Sequence, residues 1–466
     1  MRTSRSEWQH VGPGPVFGSR PALSARHALS HTSAPFRPQA RSWPRSRSGL
    51  AGLVTVPAVL GLLFSLAGCQ SLPLLRRQTL HVTLALSPGM EWLSADFRGG
   101  RSWSPLLKAF ARVHPEVHVQ FAVVPEANLA EELARSHRQG LGPDLLLVRG
   151  TMAKELLAQG LTSAMPRNAE LEATVATIEP RALHGVQTPR GLAGLPVFSE
   201  PSLACYDNQL LAEPPASTEA LLALAAGGRP IGLSVDPVGL WWSVGALGAR
   251  QALLPLLTGT RPAAAQLEPD RVAIVAWLSW LRQAAQQSRV DLASGPEELA
   301  QGLETGRLSW IPCFSLAIPR LERAMGKRLG VAPLPSGPGG LPSPYTALRV
   351  WALGADSSDL QRRLAIDLAR FALDPGVQRG LALETHVLVP VNRFAAIPVA
   401  SSGRLAALAE AQRQYQQTSV GGEISLATDR MVRILPTIQS VISQVMEGVF
   451  SPRQGAEVLL KLESKR

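Results

Sequence analysis

Cysteine and tyrosine are both scarce, with three of each among the 466 residues. Three cysteines cannot form the multi-bridge framework of a small secreted domain, so that class of protein is excluded. Cys205 and Cys313 either form a single bridge in an oxidising compartment or remain buried thiols. We expect buried thiols, because nothing in the sequence brings the two sulfur atoms together.

Sequence motifs of common enzyme classes are also missing. The chain has no phosphate-binding loop of the P-loop type, no Gly-x-Ser-x-Gly nucleophile turn and no Cys-x-x-Cys pair. His114 and His118 stand four residues apart, but Pro115 breaks the helix that a zinc-binding His-Glu-x-x-His pair requires. We therefore expect a protein that is not an enzyme and that holds no metal and no cofactor.

Positive charge is plentiful, and the net charge is +11, but it is unevenly placed. Residues 1–48 contain eight arginines and one acid, Glu7, and residues 49–68 contain no charged side chain. The chain from Cys69 onward therefore carries 38 basic and 34 acidic residues. A body this close to neutral argues against a nucleic-acid partner.

The uncharged stretch 49–68 follows Arg41, Arg45 and Arg47 and ends in Leu66-Ala67-Gly68-Cys69. A basic segment, an apolar segment and small residues before a cleavage point are typical of a secretory signal. A retained membrane anchor is the alternative, because the stretch approaches the ~20 residues that span a bilayer. Its last four residues resemble the lipobox of bacterial lipoproteins, in which the cysteine receives a diacylglyceryl group and becomes the new N-terminus. We expect lipidation at Cys69 and no packed structure in the Pro-, Ser- and Arg-rich leader.

Strand and helix patterns alternate beyond this point. Strands are predicted at Leu80–Leu86, Val117–Val123 and Asp144–Val148. Helices are predicted from Ser104 and from Thr151, and Thr151 is expected to cap its helix. This alternation predicts a parallel sheet covered by helices. The middle third is more helical, with helices predicted at 218–226 and 269–287 and another that starts near residue 358. The body of the chain is predicted to form two α/β lobes.

Several segments in order resemble extracellular solute-binding proteins of family 1, the maltose-binding-protein-like proteins of bacterial ABC transporters. They are LLKAFARVHPEVHVQFAVVP (106–125), GPDLLLVRGTMAKELLAQGLTSAM (142–165), GLPVFSEPSLACYDNQLL (194–211), EPPASTEALLAL (213–224), LETGRLSWIPCFS (303–315), GVAPLPSGPGG (330–340) and the run 365–393. The resemblance covers roughly residues 80–460. Departures include Tyr206-Asp207-Asn208, where Tyr-Asn-Lys is usual, and Cys313 in a strand that usually lacks cysteine.

This resemblance implies a periplasmic-binding-protein-like α/β fold, in which two α/β lobes joined by a three-segment hinge enclose a ligand cleft. Crossing segments are expected near 195–205, 341–346 and 388–393. The implied organisation is a leader (1–48), a signal region (49–68), a lipidated tether (69–79), an N-terminal lobe (80–196 and 345–390) and a C-terminal lobe (197–344 and 391–466).

Together with the lipobox at Cys69, this resemblance implies a lipid-anchored protein at the periplasmic face of a membrane in the cell envelope, and we expect it to be a monomer. Such a protein binds a small solute and delivers it to ABC permease subunits. Carbohydrate is the expected solute class: a sugar, an oligosaccharide or a glycoside-like polyol. A sensor or envelope protein that uses this fold without transport is the alternative. Related iron-binding proteins use tyrosinate ligands, and the scatter of Tyr206, Tyr345 and Tyr415 argues against such a site.

A carbohydrate site needs aromatic rings to stack on sugar faces and polar groups to bind hydroxyls. The candidate residues are Glu91, Trp92, Arg149, Glu200, Tyr206, Trp241, Trp242, Trp310, Phe314, Tyr345 and Trp351. For several of them a structural role is an open alternative. Tyr206 and Trp351 could pack in a core, and of the adjacent Trp241 and Trp242 we expect one in the core and one in the cleft.

Overall fold

The computed structural model describes residues 77–86, 104–258, 266–418 and 428–464. All of them belong to the larger of two compact units, Pro73–Arg466. Cys69, the leader that precedes it, and the candidate ligand residues Glu91 and Trp92 lie outside the described residues. The inferences made for these residues therefore stay predictions.

Strands are spread along the whole described chain. In chain order they are β1 (Gln78–Leu86), β2 (Val117–Pro125), β3 (Leu145–Arg149), β4 (Thr162–Ser163), β5 (Gln187–Thr188), β6 (Gly191–Leu192), β7 (Leu195–Asp207), β8 (Ile231–Ser234), β9 (Val290–Ala293), β10 (Trp310–Phe314), β11 (Leu329–Ala332), β12 (Thr346–Gly354) and β13 (Val389–Pro390).

Helices connect most of these strands. They are α1 (Ser104–Val113), α2 (Glu126–His137), α3 (Gly150–Ala158), α4 (Ala169–Val175), α5 (Pro180–His184), α6 (Thr218–Ala226), α7 (Pro237–Ala246), α8 (Arg250–Thr258), α9 (Leu267–Ala285), α10 (Pro296–Glu304), α11 (Ile318–Met325), α12 (Asp359–Phe371), α13 (Pro375–Thr385), α14 (Gly403–Gln417), α15 (Thr428–Met446) and α16 (Pro452–Ser464). Within the described residues, none of the helices combines the length and the hydropathy needed to cross a membrane.

Side-chain caps are present at the start of several helices. Ser358 forms a capping box with Gln361 at the start of α12, and Ser217 caps α6 through its side chain. The predicted cap at Thr151 is wrong: α3 already begins at Gly150, and its N-cap residue is Arg149. Thr151 therefore lies inside the first turn of that helix.

The large sheet has the strand order β2-β1-β3-β12-β7-β10-β8-β9; in addition, β4 pairs with β12, and β11 and β13 pair with β7. The prediction of a parallel sheet holds for β1 with β2 and β3, and for β8 with β9 and β10. It is wrong for the centre, where β12 runs antiparallel to β3 and to β7. The sheet is mixed because β12 comes from a distant part of the chain and inserts between β3 and β7 in the opposite direction.

Strand β7 changes partners halfway along its thirteen residues. Its first half, Leu195–Pro201, pairs with β12 and β13, and its second half, from Ser202, pairs with β10 and β11. Every residue of β7 except Tyr206 is buried. One strand thus carries the chain from the first part of the sheet to the second.

Two hydrophobic cores flank this strand. The first contains β1, β3 and β12 together with Phe110 of α1 and residues of α12 and α13. The second core packs α7, α9, α15 and α16 and contains Trp241, Trp242, Trp277, Trp280 and Trp310. Most of the apolar surface that stabilises the fold is removed from water in these two cores.

Cys205 of β7 and Cys313 of β10 form a disulfide, so the prediction of two buried thiols is wrong. Cys313 lies opposite Leu203 and Cys205 lies opposite Ile311, which places the cysteines diagonally on paired antiparallel strands. Their Cα atoms are 5.8 Å apart, a typical separation for a bridge. The sequence could not show this, because the strand pairing joins residues 108 positions apart.

Candidate functional site

Polar side chains gather where β1, β2 and β3 end. These strands are parallel, with Leu86 opposite Pro125 and Leu84 opposite Leu147, so their carboxyl ends lie at one edge of the sheet. Glu126 and Arg149 stand at this edge. Ligands of open α/β sheets bind at such an edge, outside the carboxyl ends of the strands.

Glu126 and Arg149 form an ion pair at this edge. The Nε of Arg149 donates a hydrogen bond to Oε1 of Glu126 over 2.6 Å. The Glu126 side chain is only 5% exposed, whereas that of Arg149 is 42% exposed. Partial burial opposes the charge of Arg149, but the hydrogen bond and charge of Glu126 outweigh it and raise the guanidinium pKa above its ordinary value. Arg149 therefore stays positively charged beside a buried carboxylate.

A second, fully buried ion pair lies beside the first. Arg349 of β12 is directly opposite Arg149 of β3, which places two positive residues on one face of adjacent strands. The Nε of Arg349 donates to Oε1 of Glu200 over 2.5 Å, and the two side chains are 2% and 5% exposed. Each guanidinium thus has its own carboxylate, which removes the repulsion expected between opposed like charges.

Tyr345, the residue before β12, sits between the two ion pairs and the second half of the sheet. Its carbonyl oxygen accepts hydrogen bonds from the Ser202 backbone N–H at 3.0 Å and the Ser202 hydroxyl at 2.8 Å. Its ring meets Phe314, the last residue of β10, edge to face at a centroid distance of 6.1 Å. Burial raises the pKa of the Tyr345 phenol, and the nearby charges of Arg149, Glu200, Arg349 and Glu126 partly offset one another.

We call Glu126, Arg149, Glu200, Tyr345 and Arg349 the edge cluster. Its two arginines and two glutamates sum to zero charge. At neutral pH the phenol is a hydrogen-bond donor, and Arg149 presents a partly exposed guanidinium. Phe314 adds an aromatic edge beside the Tyr345 ring. Donors next to aromatic rings in a site of zero net charge suit an uncharged ligand with many hydroxyl groups.

Of the candidates named from the sequence, Arg149, Glu200, Phe314 and Tyr345 come together here. The four candidate tryptophans are buried instead. The side chains of Trp241, Trp242, Trp310 and Trp351 are each at most 1% exposed. Trp242 packs edge to face against Trp310 at 6.2 Å in the second core. Trp351 belongs to the first core. The expectation that one of Trp241 and Trp242 faces the cleft is therefore corrected, because both are core residues in this structure.

Tyr206 is half-buried and lies four residues beyond Ser202 along β7. At the rise of an extended strand, the two residues are about 13 Å apart. The Tyr206 ring covers Gly330 of β11, where an added Cβ would overlap the ring carbons. The hinge-core alternative describes this residue better than a ligand contact.

Two members of the edge cluster, Glu126 and Arg349, were not among the candidates from the sequence. Arg349 is the one charged residue in the buried strand TALRVWALG, and a charge in such a strand indicates a buried partner. Glu126 directly follows β2, as Arg149 ends β3, so both stand at the ends of predicted parallel strands. Both signals were present in the sequence.

The space beside the cluster is narrow in this structure. Arg149, Gly150, Thr151, Tyr345, Ala347 and Leu348 line a cavity of about 10 Å³. That volume holds one water molecule at most, so a larger ligand requires the surrounding elements to separate.

A larger cavity of about 720 Å³ lies elsewhere, between α1, α4, α12 and α13. Its one arginine, Arg370, already contacts Glu170 at 2.8 Å, and Asp374 accepts the first backbone N–H groups of α13. Its polar groups therefore have partners within the protein. In the described residues there is also no group of three or more His, Cys, Asp or Glu that could hold a metal ion.

No protein-family model matches the chain, and no curated protein matches it in sequence. Solved structures do match in fold. The GacH receptor of Streptomyces glaucescens, solved unliganded and with acarbose, is 14% identical with a TM-score of 0.59; the match covers 83% of this chain and 98% of that one. A maltose-maltodextrin binding protein of Alicyclobacillus acidocaldarius is 15% identical, with a TM-score of 0.58 and coverage of 83% and 100%.

A third match is an ABC transporter solute-binding protein of Thermotoga lettingae bound to α-D-tagatose. It is 16% identical, with a TM-score of 0.59 and coverage of 83% of this chain and all of that one. At these identities the likeness concerns the fold. It confirms the periplasmic-binding-protein-like α/β fold that the sequence resemblance implies.

Proposed function

We propose that this chain is the solute-binding protein of an ABC importer and that its ligand is a sugar, an oligosaccharide or a glycoside-like polyol. The observation that carries the proposal is the edge cluster: paired charges, a phenol donor and aromatic rings at the carboxyl edge of the sheet. The compared proteins support it, since they were solved with acarbose or α-D-tagatose or are named for maltodextrin. They are receptors or binding proteins, which favours binding over catalysis.

Recognition would use the chemistry of the cluster directly. Arg149 and the Tyr345 hydroxyl donate to ligand oxygens, while the Tyr345 and Phe314 rings contact the C–H faces of a sugar. Glu91 and Trp92, which follow β1 in sequence, are proposed as further contacts. Because the cavity at Arg149 is small, the ligand would enter an open form and the lobes would then close around it.

The proposed lobes keep the boundaries predicted from the sequence, 80–196 with 345–390 and 197–344 with 391–466. The change of pairing partners in β7 at Ser202 supports a crossing between lobes at that point. The start of β12 and strand β13 lie near the other two proposed crossings.

An extracytoplasmic location is part of the proposal. The Cys205–Cys313 bridge supports it, because disulfides persist in oxidising compartments and are rare in the cytosol. A lipid on Cys69 would hold a monomeric protein at the membrane that contains its permease partner, and cleavage would remove the arginine-rich leader.

A thermal-shift screen of the full chain in detergent tests the ligand class. The ligands are maltose, maltotetraose, acarbose, α-D-tagatose and sorbitol, set against amino acids and phosphate esters. A ligand that binds only the native state raises the melting temperature as its concentration exceeds Kd. At least one carbohydrate is expected to do so. The proposal is wrong if an amino acid or phosphate ester stabilises the protein and no carbohydrate does.

A further inference from the structure

The carboxylate of Glu126 is buried at the end of a strand, where burying a charge is costly. Its side chain is 5% exposed, and a carboxylate in that position destabilises the fold unless it has a partner. Arg149 is one such partner, at 2.6 Å. Glu126 is also the first residue of α2, where the helix dipole favours a negative charge. The hydrogen bond from Arg149 and the dipole of α2 therefore both stabilise the Glu126 carboxylate at this position.

The bond leaves most of the Arg149 guanidinium available. A guanidinium has five N–H donors, and Glu126 accepts from the single Nε–H. Within the described residues neither Nη group of Arg149 donates a hydrogen bond, and 42% of the side chain is exposed. Glu126 therefore fixes the orientation of the guanidinium while its outer two nitrogens remain free to donate.

The same bond also sets the charge of the site. Arg349 lies directly opposite Arg149 and is neutralised by Glu200. If Glu126 lost its charge, the Arg149 guanidinium would lose the one carboxylate that forms an ion pair with it among the described residues. Uncompensated positive charge at a binding site attracts anions.

We infer that Glu126 is a positioning residue that determines ligand specificity. It holds the Arg149 guanidinium so that both Nη groups meet hydroxyl oxygens, and it cancels the Arg149 charge so that an uncharged polyol is selected over a sugar acid. This inference rests on the proposed function. It adds that the ligand is neutral, and it names Glu126 as the residue that selects a neutral ligand.

Glu126→Gln tests the charge. The amide keeps the size of the side chain and an acceptor oxygen for the Arg149 Nε, but it removes the negative charge. Titration calorimetry of the full chain in detergent compares glucose with glucuronate, galactose with galacturonate, and maltotetraose. In the variant, the ratio of uronate Kd to neutral-sugar Kd should fall by about tenfold or more. Glu170→Gln is the matched control, because it removes the charge from another Glu–Arg ion pair, with Arg370, that lies on helices α4 and α12 away from the edge cluster.

Glu126→Asp tests the position, and it also serves if the Gln variant does not fold. Aspartate keeps the charge but shortens the side chain by one methylene, which pulls the guanidinium out of place. Neutral sugars should bind about tenfold more weakly, with little change in the uronate ratio. If Glu126 had only a structural role, Glu126→Gln and Glu126→Asp would both change the melting temperature. Neither variant would then change the ratio of uronate Kd to neutral-sugar Kd.

The outcomes separate the two proposals. If the wild-type chain binds neutral sugars but Glu126→Gln has the same ratio as Glu170→Gln, the role of Glu126 is wrong and the proposed function stands. The same conclusion follows if Glu126→Asp binds neutral sugars as tightly as the wild type. If the wild-type chain binds neither these sugars nor any carbohydrate of the thermal-shift screen, the proposed function fails and the role of Glu126 fails with it.

Discussion

At the scale of single residues, the edge cluster shows how partners determine what a charged side chain can do. Arg149 and Arg349 are opposite each other on adjacent strands, yet they differ in exposure, 42% against 2%. Arg349 is enclosed with Glu200 and stabilises the sheet from within, so it is unavailable to a ligand. Arg149 is partly exposed, so in the proposed function Arg149 contacts the ligand and Arg349 has a structural role.

Cys69 is the other residue whose role can be tested alone. If it is the lipidation site, Cys69→Ala abolishes lipid labelling and leaves the precursor uncleaved, because the peptidase requires the modified cysteine. Metabolic labelling with a tagged fatty acid, followed by electrophoresis, measures both effects. Cys313→Ser is the control and should keep the label. Label that persists in Cys69→Ala would rule out this site.

At the scale of elements, strand β7 is the part on which the fold depends most. It pairs with four other strands, and its second half is tied to β10 by the Cys205–Cys313 bridge. Gln378 of α13 donates to the carbonyl of Val197 at 2.7 Å, and Ser199 donates to Gln412 of α14 at 2.9 Å. Side chains from two helices thus hold its first half, and a covalent bond holds its second.

Replacing both cysteines by alanine should lower the free energy of unfolding by about 2–5 kcal/mol, because the bridge closes a loop of roughly a hundred residues. Alanine avoids the separate cost of burying a serine hydroxyl at these sites. Urea unfolding of the oxidised wild type, the reduced wild type and the double variant measures the effect. The reduced wild type and the double variant should have the same free energy of unfolding. If both Cys205 and Cys313 were free thiols in the untreated wild type, the assignment of this bridge would be wrong.

The elements also show what could be predicted from the sequence. Helix α12 and strand β3 were predicted because a capping box and a continuous apolar run are local signals. The antiparallel β12 and the disulfide were not, because each depends on residues more than a hundred positions apart meeting across a sheet.

The candidate site divides in the same way. Arg149 was predicted from its place after a buried strand, and Tyr345 from its place after an expected crossing. The tryptophans were assigned to the cleft on residue type alone. Burial decides between core and cleft, and Trp242 and Trp310 are enclosed by helices distant in the sequence.

At the scale of the whole molecule, the cluster and the partner change in β7 adjoin each other. Ser202, where β7 leaves β12 for β10, is the residue that holds Tyr345 through its backbone and hydroxyl groups. A ligand that contacts Tyr345 and Arg149 would therefore touch the junction between the two parts of the sheet. Closure of the proposed lobes would then depend directly on occupation of the site.

The most direct measurement is calorimetric titration of the full chain with the carbohydrate that stabilises it most, for the wild type, Tyr345→Ala and Tyr206→Ala. Both tyrosines are half-buried, Tyr206 within β7 and Tyr345 bonded to Ser202 of β7, but only Tyr345 belongs to the edge cluster. Loss of its ring and hydroxyl should weaken binding by about ten- to a hundredfold, while Tyr206→Ala binds like the wild type. Equal binding by wild type and Tyr345→Ala, or an equal loss in both variants, would contradict a carbohydrate site at the edge cluster.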